Sequence, residues 1–101
     1  MASLMDEKKA WSQAVADFPF GSRVSGSVVR VMPFGLIVDV ADAPNVKFVA
    51  DAIDVRGRGG EVIGVDGFRV GDVVAGVIVD HVAHNLEIKM RIAVRGGVGE
   101  P

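Results

Sequence analysis

Cysteine is absent from the 101 residues, which removes disulfides and thiolate metal ligands and leaves an oxidising compartment without positive support. Nowhere do about 18 consecutive apolar residues occur, and MASLMDEKKAW at the N-terminus has no apolar run of signal length. The expectation is a soluble, cytoplasmic chain with no membrane partner. A basic surplus is also missing: 11 Lys and Arg stand against 13 Asp and Glu, for a formal charge of −2. From Phe18 to Arg95 the balance is nine against nine. Domains that bind mainly by neutralising phosphates carry a basic excess, so any basic patch here has to be local. Catalytic signatures are lacking as well. No phosphate loop or GxSxG pattern occurs, and the serines at 3, 12, 22, 25 and 27 are remote in sequence from both histidines. His81-x-x-His84 has a zinc-like spacing but no third ligand, and reads as turn histidines. No enzymatic activity, metal, cofactor or small-molecule substrate is expected.

What is present favours strands. Half of the residues are hydrophobic, with abundant valine, 13 glycines and only 4 prolines, the composition of short strands joined by glycine turns. Val24 to Met32 and Leu36 to Val40 are separated by Pro33-Phe34-Gly35 and predict a tight antiparallel hairpin, Pro lacking a ladder donor and Gly tolerating positive φ. Val24, Gly26 and Val28, onward to Met32, share one face with Arg23, Ser25 and Ser27 on the other, and Gly26 suggests a bulge or a sharp bend. In the partner strand Ile37 and Asp39 face outward. Val46 to Ala50 reads as a third strand. Residues 51–70 read as a long connection that accommodates one helical turn, its end pinned to the core by Phe68 and Val70. The longest strand, VVAGVIVDHV, turns at Ala83-His84-Asn85 into Leu86 to Ile92, where Leu86, Ile88, Met90 and Ile92 alternate with charged residues. Upstream, Trp11, Ala14, Val15 and Phe18 form the stripe of an amphipathic helix over residues 4 to 17, with Ser3 as N-cap and Pro19 as its stop. Trp11 reads as a packing anchor rather than a stacking platform. The expected organisation is a docked helix over 1–18, a barrel over 19–94 and a mobile tail over 95–101.

Five strands with a long connection between the third and fourth describe an OB-type barrel. Val24-x-Gly26-x-Val28, Pro33-Phe34-Gly35-Leu36-Ile37-Val38-Asp39, Val70-Gly71-Asp72-x-Val74 and Ile88-Lys89-Met90 together resemble the S1 RNA-binding domain family over about residues 20 to 93. The resemblance implies a mostly β protein, a five-stranded antiparallel OB-fold barrel with a short N-terminal helix, that binds RNA or another single-stranded nucleic acid. Of the family's five contact positions, the Phe before Gly is present as Phe34. Ile37 stands where a second aromatic is usual, Ala50 where a His is usual, and Val82 and Leu86 near the Asp and Arg positions, with Asp80 and Lys89 the nearest alternatives.

The candidate nucleic-acid contacts are therefore Phe34, Ile37, Lys47, Arg56, Arg58, Arg69 and Lys89. Phe34 has two readings, a base-stacking ring or a cover for the barrel mouth. Arg56-Gly57-Arg58-Gly59-Gly60 looks like one copy of an RGG segment, with an ordinary solvated loop as the other reading. A module that kept the barrel but binds a protein partner, or itself, is the alternative function.

Overall fold

The computed structural model describes residues 4–93. The expected N-cap Ser3 and the tail from residue 95 lie outside this range. The elements run α1 (Leu4–Asp17), β1 (Arg23–Met32), β2 (Gly35–Asp39), β3 (Lys47–Asp51), a 3-10 turn (Ala52–Asp54), β4 (Val55–Arg56), β5 (Val73–Val82), a second 3-10 turn (Ala83–Asn85) and β6 (Glu87–Ala93). The strand order is β3-β2-β1-β5-β6, closed by β3 against β6, with two-residue β4 added on β6. This is the expected OB barrel with its helix, with one correction to the pairing. β3 and β6 run parallel, so the barrel is mixed rather than purely antiparallel. The reason is geometric: strand direction cannot alternate all the way around a closed ring of five, so one neighbouring pair must match.

The core follows the two-residue alternation. Val24 and Val28 of β1, Leu36 and Val38 of β2, Phe48 and Ala50 of β3, Val74 and Ile78 of β5, and Ile88, Met90 and Ile92 of β6 are buried in one cluster. The helix joins it through Ala14, with Trp11, Val15 and Phe18 packed against it. Trp11 donates its indole N–H to the Glu87 carbonyl at 3.0 Å, and Phe18 meets Phe48 edge-on with ring centroids 5.5 Å apart. An apolar ring with one polar handle is thereby satisfied at the helix–barrel seam.

Four local expectations are corrected. Pairing in β1 slips between Val28 and Arg30, so the bulge lies at Val29 rather than at Gly26. A Cβ at Gly26 would stand 2.2 Å from the Asp39 carbonyl oxygen, so the residue permits a close backbone approach instead. Gly35 likewise lacks positive φ, and its missing side chain makes room for the Ala50 carbonyl of β3, 2.6 Å from where a Cβ would sit. Of the two residues expected to pin the long connection, Phe68 is buried and Val70 is 67% exposed. Leu86 does not begin β6: it caps the preceding turn in the left-handed region at φ 52°, and the strand starts one residue later.

Candidate functional site

The bulge at Val29 decides what the outer surface presents. Strict alternation from Val24 and Val28 would turn Arg30 into the core. The extra residue shifts the phase, and Arg30 pairs with outward-facing Ile37. Register then continues the row from Ile37 to Val49 of β3 and Lys89 of β6. Arg30 is exposed, Ile37 half-buried, and Val49, between Ile37 and Lys89, is buried outside the central cluster. Phe34 stands above the row in the two-residue loop Pro33-Phe34. Its backbone is fixed by the Ala52 N–H donating to the Phe34 carbonyl at 2.8 Å, while its side chain is 61% exposed. Ile53, the next residue after Ala52, is 65% exposed.

The predicted contact residues separate into three places. Phe34, Ile37, Lys47 and Lys89 belong to the β2–β3–β6 surface. Arg56 and Arg58 are on the connection after β3, and Arg69 is in the turn before β5, which is stitched to β1 by Gly71 N–H donating to the Val28 carbonyl at 2.7 Å. Most of the cations on the β2–β3–β6 surface and the adjoining connection are engaged. Lys47 pairs with Glu87 at 3.2 Å, Lys89 with Asp51 at 2.9 Å and Glu87 at 3.6 Å, and Arg91 with Asp54 at 3.1 Å. Arg56 donates from Nε to the Ile53 carbonyl at 2.7 Å and from a terminal nitrogen to the Gly60 carbonyl at 2.9 Å. It therefore closes the glycine loop rather than reaching outward, because the tight turn there leaves carbonyls that need donors. Of the RGRGG segment, Arg58 alone presents a guanidinium to solvent. Arg30 was not among the expected contacts. The signal for it is a charged residue at an inward phase of a strand, which demands a bulge.

The histidines are parts of the helix–barrel junction and a turn. His81 donates from Nε2 to the Phe18 carbonyl at 2.7 Å, and its ring stacks on Phe20 with centroids 4.5 Å apart.

Among the described residues, Lys89 is the group whose titration departs from its ordinary value. Partial burial pushes its pKa down, but the hydrogen bond and charge of Asp51, with Glu87, outweigh that and hold it above the ordinary 10.5. A cation whose folded pKa is raised stabilises the fold fully below its unfolded pKa and loses that contribution as pH rises through the folded one. The denaturant midpoint is thus expected to hold from about pH 8 to about pH 10 and to fall above it, and Lys89→Met is expected to flatten that fall. Urea titrations of both proteins across this range check it. An identical alkaline decline in the variant would refute the assignment.

No family model matches the chain, and no curated protein matches it. Solved structures do. An uncharacterised protein from Methanocaldococcus jannaschii superposes with a TM-score of 0.59 at 19% identity, covering 74% of this chain and 92% of that one. A chain in the complex of a/eIF2α, aDim2p and rRNA from Pyrococcus horikoshii gives a TM-score of 0.62 at 14% identity, covering 73% of this chain and 44% of that chain. The intact α subunit of aIF2 from Pyrococcus abyssi gives 0.56 at 16% identity, covering 75% and 28%. The chain thus spans less than half of either Pyrococcus protein. At these identities the likeness concerns the fold: it is a barrel of the OB, S1-like kind.

Proposed function

We propose that this protein is a non-catalytic, S1-type binder of single-stranded nucleic acid, RNA first, with modest affinity. The carrying observation is Phe34, an aromatic ring 61% exposed at a rigid two-residue loop above Ile37 and Arg30. A ring held there loses hydrophobic burial and adds no packing to the core, while it offers a flat face for a nucleobase on the hairpin that also carries the unengaged Arg30. OB barrels bind oligonucleotides through the surface of their second and third strands and the adjoining loops. The rRNA in the Pyrococcus horikoshii complex belongs to that assembly, and supports an RNA reading for this barrel by likeness of fold.

The test is fluorescence anisotropy with a labelled oligouridylate of about 12 nucleotides, within the site size of one OB barrel. Phe34→Ala is expected to weaken binding by about 5- to 150-fold, the loss of one stacked base at 1–3 kcal/mol, with an unchanged circular dichroism spectrum. Absence of binding by the parent protein at low salt would overturn the reading. A protein ligand is favoured by a different observation, the neutralisation of Lys47, Lys89 and Arg91 by carboxylates next to exposed Phe34 and Ile53. Under that reading Phe34→Ala changes capture of a protein and leaves oligouridylate binding absent.

A further inference from the structure

Among the described residues, the lysines and arginines of the barrel fall into two sets. Lys47, Lys89, Arg91 and Arg56 are held by carboxylates or backbone carbonyls. A phosphate can take them only by displacing a partner already in place. Arg23 and Arg30 are exposed and have no intramolecular partner, and both lie on the outer side of β1. Arg58 and Arg69 are unpartnered too, but both lie on the connection between β4 and β5 and not on a strand face.

The β1 residues form a continuous stripe. Val24 and Val28 point into the core, so Arg23, Ser25 and Ser27 point out, and the bulge returns Arg30 to the same side beside Ile37. Neither Ser25 nor Ser27 makes a side-chain hydrogen bond among the described residues. Same-face residues on a strand recur about every 7 Å, and Arg23 and Arg30 are therefore roughly 20 Å apart, room for several nucleotides. Across this stripe, β5 places Val77, Ala75 and Val73 opposite Arg23, Ser25 and Ser27, with no competing acid. On the β2 side one carboxylate faces it, exposed Asp39 opposite Ser27. Asp72, the residue before β5, turns its carboxylate back to accept from the Arg69 N–H at 2.9 Å.

We infer that the outer face of β1 is the phosphate track of the nucleic-acid site, with a base stacked on Phe34 at one end, Arg30 and Arg23 on phosphates, and the Ser25 and Ser27 hydroxyls donating between them. This rests on the nucleic-acid reading above and departs from the expected contacts Lys47, Arg56 and Lys89. Free donors on a rigid strand need no prior bond broken, and they follow a backbone rather than a base, which suits sequence-tolerant binding. Asp39 is the built-in repulsion on this path.

The experiment measures oligouridylate affinity against salt for the parent protein, Arg23→Gln, Arg30→Gln, Asp39→Asn and Lys47→Gln. Each phosphate contact to a single strand contributes about 0.7 to the slope of log affinity against log salt. Arg23→Gln and Arg30→Gln are each expected to lower the slope magnitude by about 0.7 and to weaken low-salt binding on the order of tenfold. Asp39→Asn is expected to bind several-fold more tightly, a gain that misfolding cannot mimic, and Lys47→Gln to keep the parental slope. If the parent binds and Phe34→Ala weakens it while both arginine variants keep the parental slope, the track is overturned and the proposed function stands. A slope loss confined to Lys47→Gln overturns the track in the same way. If the parent shows no binding, both fall together.

Discussion

Gly76→Ala is expected to lower the unfolding free energy by about 3 kcal/mol or more, from a total of about 5–15 kcal/mol for a domain of this size. A Cβ built on Gly76 lies 2.0 Å from the Arg91 carbonyl oxygen and 2.8 Å from its carbon, both backbone atoms of β6. No rotamer relieves such a contact, so β5 and β6 have to part, and Gly76 pairs with Ile92 at the point where they touch. The position is structural in a specific way. β1 and β5 are the two ten-residue strands, and their inward positions read Val24-Gly26-Val28 and Val74-Gly76-Ile78. Register sets Val24 against Gly76 and Gly26 against Val74, so each glycine sits across from a valine. Small residues at the tightest curvature let a short sheet close on itself, while the valines fill the space they leave. Urea unfolding checks the prediction, with Gly59→Ala as control, because the nearest atom there is 3.6 Å away and the change should fall within about 0.5 kcal/mol. A Gly76→Ala protein as stable as its parent would mean that β5 and β6 are not packed as described.

Local features were readable in the sequence, and features made by distant pairing were not. The stripe of Trp11, Ala14, Val15 and Phe18 announced a helix and its buried side, since 3.6-residue periodicity is a property of the segment itself. Alternation in Ile88, Met90 and Ile92 did the same for β6. By contrast, Lys47 meets Glu87 and Lys89 meets Asp51 through the parallel β3–β6 pair, joining residues about 40 positions apart. Nothing local marks those lysines as neutralised, which is why residues that read as phosphate contacts turn out to be engaged. Arg56 is engaged for another reason. A glycine-rich run looks extended and free, but folded as a turn it needs donors, and the nearest arginine supplies them. Arg30 lay in plain view. Its charge conflicted with the inward phase of β1, and a conflict between charge and phase is resolved by a bulge more cheaply than by burying a cation.

Phe48→Ala is expected to cost about 3–5 kcal/mol, the range for emptying a buried aromatic site, and to do so in the helix and the barrel at once. Phe48 is fully buried, paired in register with Val38 on one side and Ile88 on the other, and it receives the edge of Phe18 from the segment leaving α1. Its loss leaves a void at the closure of the barrel and removes the surface against which the helix ends. Trp11 is the single tryptophan in the sequence, and its indole N–H is bonded to the Glu87 carbonyl where β6 begins, so its emission reports docking of α1 directly. If helix and barrel share one core, as the joint burial of Ala14, Phe48 and Ile88 requires, tryptophan emission and far-ultraviolet circular dichroism follow the same urea transition in parent and variant alike, shifted to lower urea in Phe48→Ala. A tryptophan transition that precedes the barrel transition in the parent would mean instead that α1 is an independently detachable element, and the Phe48 penalty would then be confined to the barrel. The distinction bears on function because β1 starts only a few residues after α1 ends, and the Gly21 N–H to Ile78 carbonyl bond at 2.8 Å fastens that junction to β5. A helix that undocks loosens Arg23 at the head of β1, whereas one folded with the barrel keeps the whole outer face of that strand in place.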